Sequence, residues 1–157
     1  MLRWQFATMA GLSSLEWYEV TAAREAVFVV EQDCAFLDAD GADPECWHLV
    51  GRRGAEVAAY CRIVPPGVKF AEPSIGRVLT RGAGRGNGAG KALMEEAIRR
   101  CEELFPGLPI RIGAQQYLER FYGRFGFATV SGPYDEDGIP HVIMLREPPG
   151  NRTKGRS

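Results

Sequence analysis

A β-branched run that ends near Thr80 gives way, through Arg85-Gly86-Asn87-Gly88-Ala89-Gly90, to an amphipathic run beginning at Gly88, and few folds accommodate that join. Its three glycines let backbone amides crowd around one point, because no Cβ blocks the approach. The first turn of the helix that follows adds unpaired N–H donors and the positive end of its dipole. An anion is the natural guest of such a strand–loop–helix join, and a phosphate is the natural anion.

Three phosphate loops compete for the segment. A G-x-x-x-x-G-K-[ST] loop aligned on Gly90-Lys91 needs glycine at Arg85 and a hydroxyl at Ala92, so the magnesium ligand is missing. A dinucleotide fingerprint laid on Gly84-x-Gly86-x-x-Ala89 needs a following strand that ends in an acid to grip a ribose, but the strand Ile110 to Ala114 runs into Gln115 and Gln116. The third spacing, R-x-x-G-x-G at Arg85, Gly88 and Gly90, fits without a gap. It resembles the loop with which the GNAT acetyltransferases cradle the pyrophosphate of coenzyme A.

At 157 residues and 45% apolar composition the chain is expected to form a single domain over residues 1–147, with Pro148 to Ser157 a disordered tail. A net charge of -1 argues against nucleic acid as partner, since the basic tail Arg152, Lys154, Arg156 is too short to form a stripe. No apolar run approaches the ~20 residues that span a bilayer, and Met1-Leu2-Arg3-Trp4 opens like a strand, so no membrane contact and a cytoplasmic location are expected. Cysteines 34, 46, 61 and 101 are irregularly spaced and read as reduced thiols. A metal site from Cys34, Cys46 and His48 lacks paired spacing and a fourth ligand, and none is expected.

Along the chain, Leu2 to Thr8 reads as a strand, and Ser13-x-x-Glu16 as a capping box opening a helix from about Ser14 to about Val29. Gln32 to Cys46 is an acidic loop, long enough to suggest a wall of a substrate site. Trp47 to Arg52 and Glu56 to Val64 form a hairpin, and Ser74 to Thr80 a further strand. From Gly88, Ala89, Leu93, Ala97, Cys101 and Leu104 line one helical face, widened by Met94, Ile98 and Phe105. On the outer face Glu95 to Arg99 and Glu96 to Arg100 are spaced for ion pairs. Ile110 to Ala114, a short helix over Tyr117 to Phe125, a strand Gly126 to Val130, an acidic turn Asp135 to Gly138 and a strand Ile139 to Leu145 complete a β-α-β-β-β-α-β-α-β-β order. The fold class is α/β, with helices flanking a mixed, mostly antiparallel sheet.

Acyl transfer from a thioester to an amine needs the phosphates held, the pantetheine aligned, a neutral amine and a proton for the departing thiolate. Arg85, Gly86, Asn87, Gly88, Ala89 and Gly90 supply the first. Val78, Leu79 and Thr80, at the end of a strand, suit the second, because pantetheine amides pair like another strand. Tyr122 is the phenol placed to act as general acid: its unperturbed pKa of ~10 keeps it protonated beside a thiol of ~8.5. Glu31, His48 and His141 are the candidate bases. Asp33, Asp38, Asp40 and Asp43 would favour a cationic acceptor by their field.

An ordered set of motifs sharpens the resemblance to the ElaA-like proteins of the GNAT superfamily. It runs Arg24-Glu25-x-Val27-Phe28-x-Val30-Glu31-Gln32-x-Cys34, Asp40-x-x-Asp43, His48, Ile75-Gly76-Arg77-Val78 and Ala114-Gln115. It closes with Phe121-Tyr122-x-x-Phe125-Gly126-Phe127 and Glu136-Asp137-Gly138-Ile139-Pro140-His141. Arg81-Gly82-Ala83-Gly84, where relatives often carry proline, departs from the pattern. The resemblance implies a sheet that splays at the cofactor site near Val78 to Thr80, with Gln115 among the cofactor-binding residues. It further implies acetyl-CoA as co-substrate, Tyr122 as acid, and direct transfer without a covalent intermediate. It leaves the acceptor unnamed and is compatible with a homodimer. A domain that binds acyl-CoA as a sensor without turnover is the alternative.

Overall fold

The computed structural model describes residues 2–82 and 88–150, so Arg85, Gly86 and Asn87 lie outside the described residues, as does the tail from Asn151. The elements are β1 (Arg3–Thr8), α1 (Ser14–Arg24), β2 (Trp47–Arg53), β3 (Glu56–Val64), β4 (Ser74–Thr80), α2 (Ala89–Leu104), β5 (Ile110–Gln115), α3 (Glu119–Gly123), β6 (Phe127–Glu136) and β7 (Ile139–Arg146). They follow the order expected from the sequence. Strands pair antiparallel in two sheets, β1-β2-β3-β4 and β5-β7-β6.

Among the described residues the two sheets meet backbone to backbone at one end of β4 and β5. There the Arg111 N–H donates to the Pro73 carbonyl at 3.0 Å and the Arg111 guanidinium grips Glu72 at 2.9 Å. Both strands leave that junction in the same direction, as a strand–helix–strand crossover through α2 demands. No ladder joins them further along among the described residues.

Alternation along the central strands sorts their side chains onto two covered faces. Leu49, Ala59, Cys61 and Ile63 meet Leu93, Met94, Ala97 and Cys101 of α2, while Val50, Val57 and Tyr60 meet Val20 and Ala23 of α1. Covered on both faces, β3 is buried from Val57 to Val64, which accounts for its nearly unbroken apolar sequence.

The capping box forms as expected: Ser13 Oγ accepts from the Glu16 N–H at 3.1 Å, and Glu16 Oε1 from the Ser13 N–H at 2.8 Å. The helix it opens does not stay α-helical. From Glu25 to Glu31 it widens to a π-helix, with Gln32 N–H reaching Val27 O and Cys34 N–H reaching Val29 O five residues back. The β-branched run Val27, Val29, Val30 weakens the α preference there. On α2, Arg100 takes Glu96 as expected, at 2.7 Å, but Arg99 pairs with Glu96 and Glu103, leaving Glu95 out of the ion pairs among the described residues.

Two further features of the strands bear on the site. β6 continues to Glu136, so the connection to β7 is only Asp137-Gly138, both at positive φ (53° and 80°) as a type I′ hairpin requires. In β4 one extra residue stands opposite β3 between the Tyr60–Leu79 and Arg62–Gly76 pairs, and Arg77 takes φ 51°. This bulge turns the Arg77 side chain toward the acidic loop.

Candidate active site

Where β4 and β5 part, a cavity of about 1250 Å³ opens between the two sheets. Val78, Leu79 and Thr80 line it from β4, and Gly113 and Gln115 from β5. α2 contributes Gly90, and α3 contributes Phe121 and Tyr122. The π-helical turn contributes Val27, Phe28, Glu31 and Gln32, and the β6–β7 hairpin contributes Tyr134, Glu136, Asp137, Ile139 and His141. Most residues singled out from the sequence therefore converge on one space.

At the head of α2, Gly88 adopts a left-handed conformation (φ 77°, ψ 9°), and no side chain of the described residues caps the helix. The first helical bond is Ala92 N–H to Gly88 O, and no acid stands in the first turn. A 16-residue helix thus presents its opening amides and dipole without a counter-charge of its own among the described residues, the arrangement that receives a phosphate. Gly90 keeps its amide close to the slot, with a Cβ there standing 3.6 Å from Phe121. These residues, the strand ends and the size of the cavity fit the pyrophosphate and pantetheine of an acyl-CoA.

Tyr122 is buried, its ring held edge-on between Phe121 and Phe127. Its hydroxyl makes no hydrogen bond among the described residues. Burial pushes its pKa well above that of a free phenol, so it remains protonated.

His141 reaches the cavity with a defined tautomer. Its Nδ1 lies 2.8 Å from the Ile139 carbonyl, which can only accept, so Nδ1 carries the proton and Nε2 the lone pair. Glu136 Oε2 stands 3.5 Å from Nε2, ready to pair with the imidazolium once a proton arrives. Tyr134 packs over the ring with centroids 5.8 Å apart.

His48 does not belong to this site, which corrects the expectation that it is a candidate base. Fully buried, it donates from Nε2 to the Asp43 carbonyl at 3.1 Å, while Nδ1 accepts from the Tyr60 hydroxyl at 2.7 Å. Desolvation lowers its pKa and keeps it neutral. It is a core histidine with both nitrogens engaged. Cys34, Cys46 and His48 do not gather either: among the described residues no group of His, Cys, Asp and Glu is disposed for a metal.

The acidic loop is also corrected. Asp38 accepts from Arg24 Nε at 2.8 Å and Arg77 Nε at 3.0 Å; Asp40 from Arg62 at 2.6 Å and Lys69 at 2.8 Å; Asp43 from Arg24 at 2.8 Å and Arg62 at 2.9 Å. These three carboxylates are taken up by cations of the fold. The Arg62 and Lys69 hydrogen bonds hold the Asp40 carboxyl far below the usual range, and the Arg24 and Arg62 guanidiniums hold Asp43 below it against the opposing effect of burial.

Stability is therefore expected to fall on acidification in two stages. His48 has a folded pKa below its ordinary 6.5, so the unfolded chain binds a proton that the folded chain refuses. Its contribution is complete above pH 6.5 and declines below it. Asp40 and Asp43 start from an ordinary 3.8, so their contribution is lost more steeply below that. A melting-temperature series from neutral pH downward reads both stages, and His48→Gln should flatten the first one only.

Residues that sequence reasoning missed include Tyr134, Gly113, Arg62 and Lys69, while Gln32 and Arg77 stood in the family motif without a role; all six line the cavity. A Cβ on Gly113 would stand 3.0 Å from the Tyr134 hydroxyl, so this glycine is what admits the phenol. The Asp137-Gly138 turn was the available signal for Tyr134, because a two-residue hairpin fixes Tyr134 opposite His141.

Comparison with known proteins agrees with this geometry. Residues 46–147 match the acetyltransferase (GNAT) domain family. The chain is 42% identical to UPF0039 protein sll0451 of Synechocystis, over 96% of this chain and 98% of that protein. It is 40% identical to the protein ElaA of Escherichia coli, over 94% of this chain and 97% of that protein. The crystal structure of E. coli ElaA superposes with a TM-score of 0.88, covering 94% of this chain and all of the other. An acyl-CoA N-acyltransferase from Pseudomonas aeruginosa, 38% identical, superposes with a TM-score of 0.89 over 93% of this chain and 99% of that one. With its split sheet, uncapped helix start and matching relatives, the chain belongs to the GNAT acyltransferases, among the ElaA-like enzymes.

Proposed function

We propose that the protein transfers an acetyl group from acetyl-CoA directly to a primary amine. What supports the reading above all is that a protonated phenol, Tyr122, and an imidazole with a free lone pair, His141, face one cavity at the parting of β4 and β5. The amine nitrogen attacks the thioester carbonyl carbon and the carbon–sulfur bond breaks. The departing thiolate takes the Tyr122 proton, and His141 Nε2 takes the proton that the new amide nitrogen must lose. Burial raises the phenol and the thiol alike, because both form anions, so desolvation does not by itself unbalance the transfer.

Arg85, Gly86 and Asn87 complete the pyrophosphate cradle with Gly88 to Gly90, and Val78, Leu79, Thr80 and Gln115 hold the pantetheine. Glu31 on the rim is the second candidate for receiving a proton from the amine.

Release of free CoA thiol over a panel of amines tests the reading, together with a thermal shift on adding acetyl-CoA. Saturating cofactor at a hundredfold excess over Kd should add ~2.7 kcal/mol of stability. No shift would sink the proposal, and a shift without thiol release from any amine would make the domain a binding module. His141→Gln should lower turnover near neutral pH about tenfold and regain it as pH rises. As pH rises, solution base can take the proton that the new amide nitrogen must lose, so His141 becomes dispensable.

A further inference from the structure

The charges on the cavity wall are sorted. Arg62 and Arg77 stand on β3 and β4, and Lys69 on the segment joining them, all on the side of the β1–β4 sheet, with Asp40, the carboxylate that pairs with all three, lining the cavity beside them. Glu136, Asp137 and His141 stand on the β6–β7 hairpin of the other sheet, with Glu31 at the end of the π-helical turn. Among the described residues the cationic side does not balance internally. Four cations, Arg24, Arg62, Arg77 and Lys69, share three carboxylates, Asp38, Asp40 and Asp43.

Donor capacity is left over on that side as well. Arg62 Nε is buried and without a hydrogen-bond partner among the described residues. Lys69 makes one ion pair among the described residues, to Asp40 Oδ2, and its side chain is 41% exposed and lines the cavity. The carboxylates that could have drawn a polycation are the same ones that these groups neutralise. A purely cationic acceptor would therefore meet acid on one wall of the cavity and surplus positive charge on the other.

We propose that the acceptor carries a carboxylate in the same molecule as its amine. It is an amino acid or a short peptide with a free C terminus, its carboxylate held at Lys69 beside Arg62 and Arg77, and its amine directed toward Glu31, Glu136 and His141. This rests on the transfer to an amine proposed above and names the acceptor class for that same site. Lys69 is then the residue that sets specificity: its ammonium meets the carboxylate as a charge-assisted hydrogen bond, while the arginines, tied down by Asp38, Asp40 and Asp43, fix the loop that carries it. The opposed charges also set direction, since a zwitterion bound the wrong way round meets like charge at both ends.

Matched acceptors provide the test: L-phenylalanine against L-phenylalaninamide, L-lysine against cadaverine, and glycylglycine against its amide, each with acetyl-CoA and thiol release as the readout. The carboxylate-bearing member of each pair should have the higher kcat/KM by about tenfold, the discrimination of one charge-assisted hydrogen bond. Lys69→Gln should erase that ratio through KM for the acceptor while the acetyl-CoA thermal shift persists, and Lys69→Glu should invert it. If the amides and cadaverine serve equally well or better, or if Lys69→Gln leaves the ratio intact, the inference is overturned while the acetyl-transfer reading stands. Should no acceptor turn over, the same pairs are titrated calorimetrically into protein saturated with acetyl-CoA. Absence of carboxylate-dependent binding there overturns the inference too. Loss of the acetyl-CoA shift itself would instead remove the reading beneath it.

Discussion

Tyr122→Phe is expected to lower kcat by about 100-fold or more while acetyl-CoA binding and the melting temperature are retained. The substitution removes one oxygen from a ring that Phe121 and Phe127 hold at centroid distances of 5.2 and 6.1 Å, so the packing survives. No hydrogen bond of that hydroxyl is lost among the described residues, so the fold forfeits no internal partner. What is lost is a proton donor at the place where a thiolate departs. Because burial raises the phenol above its ordinary 10, the alkaline limb of the wild-type rate profile should not report its ionisation. Steady-state kinetics with the best acceptor, alongside a cofactor thermal shift, check the expectation. Full turnover in the variant would mean that another group, or water, protonates the thiolate.

The donor half of the site was legible because it rests on local chemistry. The strand–glycine–helix join, the strand Ser74–Thr80 and the aromatic cluster around Tyr122 each carry their meaning within a few residues, and the structure gathers the described ones in one cavity. The Asp137-Gly138 turn belongs in that class, as the tip of the acidic turn Asp135 to Gly138; its two positive-φ positions fix the register that brings Tyr134 to His141. The acceptor half was less legible because its signs depend on distant partners. Asp38, Asp40 and Asp43 look like an acidic field along the chain, but Arg24, Arg62, Lys69 and Arg77 come from a helix, two strands and a loop to meet them. Nothing in the spacing of a single sequence announces such pairing. His48 failed for the same reason, since only the fold supplies Tyr60 and the Asp43 carbonyl to occupy its two nitrogens.

Asp43→Ala is expected to cost about 3–5 kcal/mol, a large part of the ~5–15 kcal/mol that holds a domain of this kind together. One oxygen, Asp43 Oδ1, accepts from Arg24 Nη1 at 2.8 Å and from Arg62 Nη1 at 2.9 Å, and both guanidiniums are buried. Truncation leaves two buried cations facing each other with their shared counter-charge gone, and the remaining carboxylates are already committed to Arg77 and Lys69 as well. Asp43→Asn, which keeps an acceptor oxygen but not its charge, should cost less. Asp33→Asn, at an exposed position of the same loop, should change stability by under ~0.5 kcal/mol, because asparagine also tolerates the positive φ found there. Urea unfolding of the three variants gives the order directly. If Asp43→Ala costs no more than Asp33→Asn, the aspartates are not structural counter-ions. They would then be free to meet a cationic acceptor after all, and the surplus positive charge assigned to the Lys69 wall would disappear with them.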